Sequence, residues 1–286
     1  MKKRRYVVVL AVLFGATLVA VWLVMFFGAR EPSYQGKRLS YWLQGYGDPE
    51  QKNPVTREEA DAAVRGCGTN AIPALLRMVQ TREPAWKVKM RMWWYKKFPP
   101  KFTPYGTPVQ ISPTSLRRSA GGQGFTALGS NALSAEAALL KMYQTDPDWV
   151  VRVTAVWALR GIGPAATNAR AIFVRDAGNQ KTNGIITMEL ISAIIAMQTP
   201  AEFAVPALRR CLNDPWKPAQ YDAIKSLEGY GAKAVEVVPV LMRMYAATES
   251  DGIVTDGETH SATGSALLAI DPESARKLGI KPEEWR

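Results

Sequence analysis

Residues 149 to 164 read W-V-V-R-V-T-A-V-W-A-L-R-G-I-G-P, from Trp149 to Pro164, and the rest of the chain is legible outward from them. Val151, Ala155, Ala158, Leu159 and Ile162 recur at helical spacing and form the apolar stripe of an amphipathic helix. Asp146 and Asp148 precede it, where acids suit the exposed N–H groups and the positive end of the helix dipole. Gly161 and Gly163 are read as its stop, and Pro164 as the first position of the next helix.

The pattern recurs. Thirty-four residues earlier, Arg118, Phe125, Leu128 and Gly129 stand where Arg152, Leu159, Ile162 and Gly163 stand here. Sixty-eight residues later, Ala223, Leu227, Gly229 and Gly231 match Ala155, Leu159, Gly161 and Gly163. Val64–Gly68 (V-R-G-C-G) repeats Leu159–Gly163, and Ala193–Met197 and Ala266–Ile270 are weaker copies. A second pattern alternates with the first: A-I-P-A-L-L-R-M after Asn70, A-V-P-A-L-R-R-C-L at Ala204–Leu212, and V-V-P-V-L-M-R-M-Y at Val237–Tyr245. Pro73, Pro206 and Pro239 are each expected in a first helical turn, where the missing N–H costs little. A period of about 34 to 40 residues marks a stacked-repeat architecture.

These two alternating helices resemble the HEAT-repeat family over about residues 56–270. The resemblance implies an all-α fold, an α-solenoid of about five to six stacked antiparallel helix pairs, right-handed, that binds or scaffolds macromolecules. The lead-in Y-Q-G-K-R-L-S-Y-W-L (Tyr34–Leu43) is similar to one seen before repeats in bacterial membrane-anchored HEAT-type proteins of unknown role. Ser40 is expected to cap a brief helix there, with Tyr41, Trp42 and Leu43 covering the open end of the first repeat. Glu189 departs from the pattern, because a small residue is expected at its position, and leaves the register of repeat four open.

The formal net charge of +11 is local. Lys2, Lys3, Arg4 and Arg5 supply four charges, and Arg82–Arg118 holds nine basic residues against Glu83. Behind the first cluster, Tyr6 to Phe27 carries no charge, and 22 residues at about 1.5 Å each span about 33 Å, enough for a bilayer core. A cleaved signal peptide is the rival reading; the length of the run and its end in Met25-Phe26-Phe27 favour a transmembrane helix. The basic tip favours a cytoplasmic N-terminus and a periplasmic or otherwise extracytoplasmic body, although Arg30, Lys37 and Arg38 reduce the asymmetry. The organisation read from the sequence is a cytoplasmic tip and anchor over 1–29, a linker and cap over 30–55, and a solenoid over 56–286.

Between the first and second repeats the spacing is 61 residues, from Gly68 to Gly129, and the extra material lies within residues 81–113. It mixes basic and aromatic side chains: Trp86, Lys87, Lys89, Arg91, Trp93, Trp94, Tyr95, Lys96 and Lys97 are the candidate partner-binding residues. Pro99, Pro100, Pro104, Pro108 and Pro113 keep its second half from regular helix. Four readings compete: a loop whose aromatics pack on the solenoid while its lysines stay in water, a contact with anionic lipid beside the anchor, a site for a protein partner, and nucleic-acid binding, which an extracytoplasmic body disfavours.

No catalytic, cofactor or metal residues are expected. His260 is the only histidine, and its acidic neighbours Glu249, Asp251, Asp256 and Glu258 do not have EF-hand spacing. Gly121–Gly124 (G-G-Q-G) lacks the G-K-[ST] ending of a phosphate loop, so close helix packing is expected there. Cys67 and Cys211 fall three repeats apart, too far for a disulfide, and are expected to be free and buried. A membrane-tethered protein-interaction scaffold is the leading functional expectation. The family resemblance also admits a HEAT-like lyase acting on bilin chromophores, for which no catalytic residues are present, and a nucleic-acid-binding HEAT module.

Overall fold

A computed structural model describes residues 31–47, 54–97, 113–179, 184–246 and 257–281, and the side chains at 91, 92, 94–96 and 113 are outside that description. The apolar run Tyr6–Phe27 lies outside the described residues. Among those described, no helix is long and apolar enough to cross a membrane.

The body is a row of helix pairs. The first helices of the pairs are α2 (Arg57–Cys67), α5 (Pro113–Leu128), α7 (Trp149–Ile162), α9 (Gly184–Ala196), α11 (Lys217–Tyr230) and α13 (Gly257–Ile270). The second helices are α3 (Ile72–Val79), α6 (Glu136–Thr145), α8 (Thr167–Asp176), α10 (Ala201–Cys211), α12 (Val238–Ala246) and α14 (Pro272–Lys277). Each first helix packs on the next first helix, so α2, α5, α7, α9, α11 and α13 form one continuous layer. The second helices lie over it as the other layer, and one hydrophobic core runs the length of the stack. The stacked-pair architecture read from the sequence is therefore the observed one.

Local chemistry explains the boundaries. Thr56 and Glu59 form a reciprocal capping box that starts α2, with the Thr56 Oγ1 accepting from the Glu59 N–H at 3.2 Å and the Glu59 carboxylate accepting from the Thr56 N–H at 2.8 Å. Asp148 caps α7 by accepting from the Val150 N–H at 2.9 Å, and Asp146 in turn accepts from the Asp148 N–H. At the far ends, Gly68, Gly129, Gly163 and Gly231 carry φ between 54° and 81°, which ends each first helix and turns the chain toward its partner. In repeat four, where Met197 holds the equivalent position, the positive φ falls one residue later, at Gln198 (φ 52°).

Several expectations are corrected. Gly161 does not stop α7 but lies inside it, where a Cβ would fall 2.5 Å from Thr126 Oγ1 and 2.8 Å from Thr126 Cα on α5. Pro164 sits in a 3₁₀ turn, and α8 begins three residues later at Thr167. The α7 stripe is wider than its amphipathic reading, because Val153 and Val156 are buried as well: α7 is covered by α5, α9 and α6 together. Pro206 lies in the interior of α10, since Pro200 starts that helix a turn earlier than the repeat pattern implies. Ser40 is not a cap. The four-residue helix α1 (Leu39–Trp42) takes Arg38 as its N-cap, and the Ser40 N–H donates to the Glu31 carboxylate.

One small feature departs from the all-α reading. Ser33–Tyr34 (β1) and Lys37–Arg38 (β2) pair antiparallel around Gln35-Gly36, both at positive φ. This hairpin holds Tyr34 against Gly66 of α2, and the Trp42 Nε1–H donates to the Tyr34 carbonyl at 3.0 Å. Leu39, Trp42, Leu43 and Tyr46 are buried, so the lead-in does cover the first repeat, as its aromatics suggest.

Polar ties join successive repeats. The buried Glu136 carboxylate, at the start of α6, accepts from the Ala169 N–H at 2.8 Å and from Asn168 Nδ2 at 3.1 Å, and so caps α8 of the following repeat. The Tyr143 hydroxyl donates to Asp176 at 3.0 Å; burial first, then the Asp176 charge, holds that phenol well above its ordinary range. Arg210 donates to the carbonyls of Ala177 and Val174, and the Tyr230 hydroxyl to that of Thr199. Each tie spans about one repeat in sequence.

Candidate functional site

The first half of the insertion is a helix and not a loop. α4 (Ala85–Lys97) begins at Pro84, whose carbonyl accepts from the Lys87 and Val88 N–H groups. Its sequence contains no glycine or proline, and its lysines, arginine and methionines are good helix formers. Its root is fastened to the stack: Arg82 pairs with Asp146 at 2.6 Å, and Arg118 donates to the Thr81 carbonyl at 3.1 Å and lies 3.6 Å from Asp148. Beyond the root, no described element packs along α4.

The candidate side chains that are described, Trp86, Lys87, Lys89, Trp93 and Lys97, are all exposed. Of the insertion aromatics, Trp86 is 61% exposed and Trp93 56%, so these two do not pack on the solenoid; Trp94, Tyr95, Phe98, Phe102 and Tyr105 lie outside the described side chains. The reason lies in the helix period. Positions 86, 90 and 93 fall on one side, with Lys97 among them, and 88, 92 and 95 on the other, with the remaining basic positions between, so the apolar residues are split between two sides. Lys87 Nζ sits 5.6 Å from the Trp86 ring and Lys97 Nζ 5.1 Å from the Trp93 ring, so the charges and aromatics share one surface. Arg91, Trp94, Tyr95 and Lys96 belong to the same helix; their side chains lie outside the described set, as do residues 98–112.

A cleft of about 600 Å³ opens at this end of the molecule. Glu31, Ser40, Gln44, Arg77, Met78 and Arg117 line it. These residues bring together three strands of chain: the first described residue after the apolar run, the end of α3 that leads into the insertion, and the start of α5 that leaves it.

A second opening lies farther along the layer of first helices. A groove of about 690 Å³ opens locally between α9 and α11, lined by Ile191, Ser192, Ile195, Asp222, Lys225 and Tyr230 among others. Its origin shows in a pair of glycines at one repeat position. At Gly161 an added Cβ would collide with the backbone of α5, whereas at Gly229 it would meet nothing within 4 Å. α5 and α7 are in close contact; α9 and α11 have parted at the equivalent level.

Glu189 stands beside this groove, in the slot that Ala155 fills one repeat earlier. Burial raises its carboxyl above the ordinary range, against the opposing effects of a hydrogen bond from Trp157 and the Arg160 guanidinium 3.5 Å away. Arg160 also donates to Ser192 Oγ at 2.7 Å, and burial raises the Asp222 carboxyl too. The groove was not anticipated from the sequence. The one signal for it was Glu189 itself, a large acid where the repeat asks for a small residue.

The residues able to do chemistry are occupied otherwise. Cys67 and Cys211 are free thiols, both buried, and burial pushes Cys211 up to about 12. The His260 ring stacks on Tyr245 at 4.2 Å. Gly121 and Gly124 of the G-G-Q-G run lie inside α5 and pack against Leu75 and Met78 of α3, the close helix contact expected from the sequence. Among the described residues, no group of three or more His, Cys, Asp or Glu could hold a metal ion; Glu249, Asp251 and Asp256 lie outside them.

No curated protein matches the chain. Residues 137–166, which take in α6, α7 and the turn after it, match the family model of the HEAT repeat, and the chain therefore carries a HEAT repeat at the middle of its stack.

Proposed function

We propose that the protein is a membrane-tethered interaction scaffold that presents its layer of first helices to a protein partner and performs no catalysis itself. The observation that carries this reading is the groove between α9 and α11. It is a local opening between two helices that pack on each other elsewhere, with apolar Ile191 and Ile195 beside Ser192, Asp222 and Lys225. Apolar anchors flanked by a few polar groups are what a partner's side chains require. Stacked repeats commonly serve this role because they offer an extended surface without a reaction centre. Burial of both thiols and the stacking of His260 on Tyr245 support a binding role over an enzymatic one.

The tether rests on the sequence of Tyr6–Phe27, and the extracytoplasmic placement of the body on the basic tip before it. A photo-crosslinking residue at Tyr221, on the groove side, and one at Arg209, on the opposite layer, test the scaffold reading in intact cells. A discrete adduct from Tyr221 and none from Arg209 is the expected result. Identical adduct patterns from the two positions would remove the groove as the partner surface.

A further inference from the structure

We propose that α4 is a second membrane contact, lying on the surface of an anionic bilayer and fixing the orientation of the solenoid beside its tether. The inference rests on the tethering reading for the nearness of the lipid, and on the structure for everything else.

Three observations converge. First, Trp86, Met90 and Trp93 are spaced i, i+4 and i+7, share one side of α4, and are each more than half exposed. Trp at a helix surface suits the boundary between headgroups and acyl chains, where an apolar ring and a polar N–H are both accommodated. Second, residues 85–97 contain five basic residues and no acid. Positions 87 and 91 flank that side on one edge, 89 and 96 on the other, and Lys97 falls on the side itself at the end of the helix. Long cations in this arrangement hold their charges at the headgroups while the stems lie along apolar surface. Third, the cleft lined by Glu31, Arg77 and Arg117 places both roots of the insertion beside the point where the chain arrives from the apolar run. Glu31 follows Phe27 by four residues, a reach of about 14 Å at most. α4 itself is about 20 Å long, and the bilayer it would lie on is the one the tethering reading supplies. Attraction to anionic lipid fades beyond a Debye length of about 8 Å, so docking requires the α4 cations to lie at the headgroups.

Anionic lipid suits this surface better than a protein groove does. A helix that enters a groove needs one apolar side and one polar side. α4 carries five basic residues and no acid, a charge match for an anionic bilayer, and its side bearing Trp86, Met90 and Trp93 suits the headgroup boundary.

The test uses the full-length chain reconstituted in vesicles, with Met90→Cys labelled by an environment-sensitive fluorophore; Cys67 and Cys211 are buried. Vesicles are made of phosphatidylcholine alone or with one-third phosphatidylglycerol. The expected result is flotation with both vesicles, together with a blue shift and quenching by brominated lipid only in the anionic ones. Lys87→Gln with Lys89→Gln lowers the docking constant by about 30-fold, at about fivefold per lysine, without releasing the chain from the vesicle. Circular dichroism checks that this variant is folded. Flotation without a shift or quenching in anionic vesicles overturns the proposal while leaving the tether intact. A blue shift that brominated lipid does not quench means that protein covers the helix, and it also overturns the proposal. Failure to float with neutral vesicles removes the tethering reading instead; anionic-only flotation with quenching then leaves the docking standing without it.

Discussion

Gly161 and Gly229 occupy the same position of two repeats, and alanine at the two sites has opposite predicted effects. Both sit one residue before the end of a first helix, so the gain in helix propensity on replacing glycine, about 1 kcal/mol, is common to them. The contacts differ. The alanine Cβ at 161 would lie 2.8 Å from both Cα and N of Thr126, and a backbone cannot swing aside as a side chain can. Ordinary carbon contacts begin near 3.5 Å, so α5 and α7 must separate by roughly 0.7 Å, and overpacking of this kind costs about 1–3 kcal/mol. At 229 no atom lies within 4 Å of the Cβ, and only the propensity gain remains. Gly161→Ala is therefore expected to be less stable than Gly229→Ala by about 1–3 kcal/mol. Urea unfolding of the detergent-solubilised full chain, with equal slopes for the two variants, measures that difference from the midpoints. Midpoints that coincide would refute the close approach of α5 to α7 and, with it, the account of why a groove opens between α9 and α11.

Three further outcomes follow from the structure. Glu136→Ala leaves the buried Ala169 N–H without a partner and is expected to cost about 1–3 kcal/mol, read as faster amide exchange in the first turn of α8. Gly163→Ala places a side chain at φ 81°, and because its Cβ would meet nothing within 4 Å the whole loss, about 1–3 kcal/mol, is backbone strain, measurable as a lowered Tm. Glu189→Gln stabilises the chain at neutral pH, because the folded carboxyl is raised and its ionised form is the disfavoured one. That advantage is absent at pH values below the unfolded carboxylate range and grows as pH rises through the folded pKa; a Tm difference that is constant with pH would contradict it.

The periodic features were the legible ones. Repeat spacing, the apolar stripe of α7 and the capping box at Thr56 are set by neighbours within a few residues, and local sequence records them directly. What the sequence concealed depends on partners a repeat away. Gly161 and Gly163 look alike as letters, yet one serves a close helix crossing and the other a positive φ, and only the position of Thr126 separates them. Pro206 looked like a first-turn proline because its motif matches Pro73, but Pro200 extends that helix backward. The candidate residues in the insertion were found by composition alone. The exposure of the five described ones was not legible, since it reflects how little of the described stack lies along α4. The groove between α9 and α11 arises from a small difference in helix separation, which leaves little trace in either helix's own pattern.

The carboxylate that Glu136 extends to α8 has a consequence for how the chain is made. Synthesis proceeds from the N-terminus, so Glu136 leaves the ribosome 33 residues ahead of Ala169, whose N–H it accepts. When α8 emerges, the acceptor for its first turn is already held on a finished surface. The growing end of the stack thus acts as a template for the next pair, and a nascent chain can add its repeats one at a time without waiting for the C-terminus.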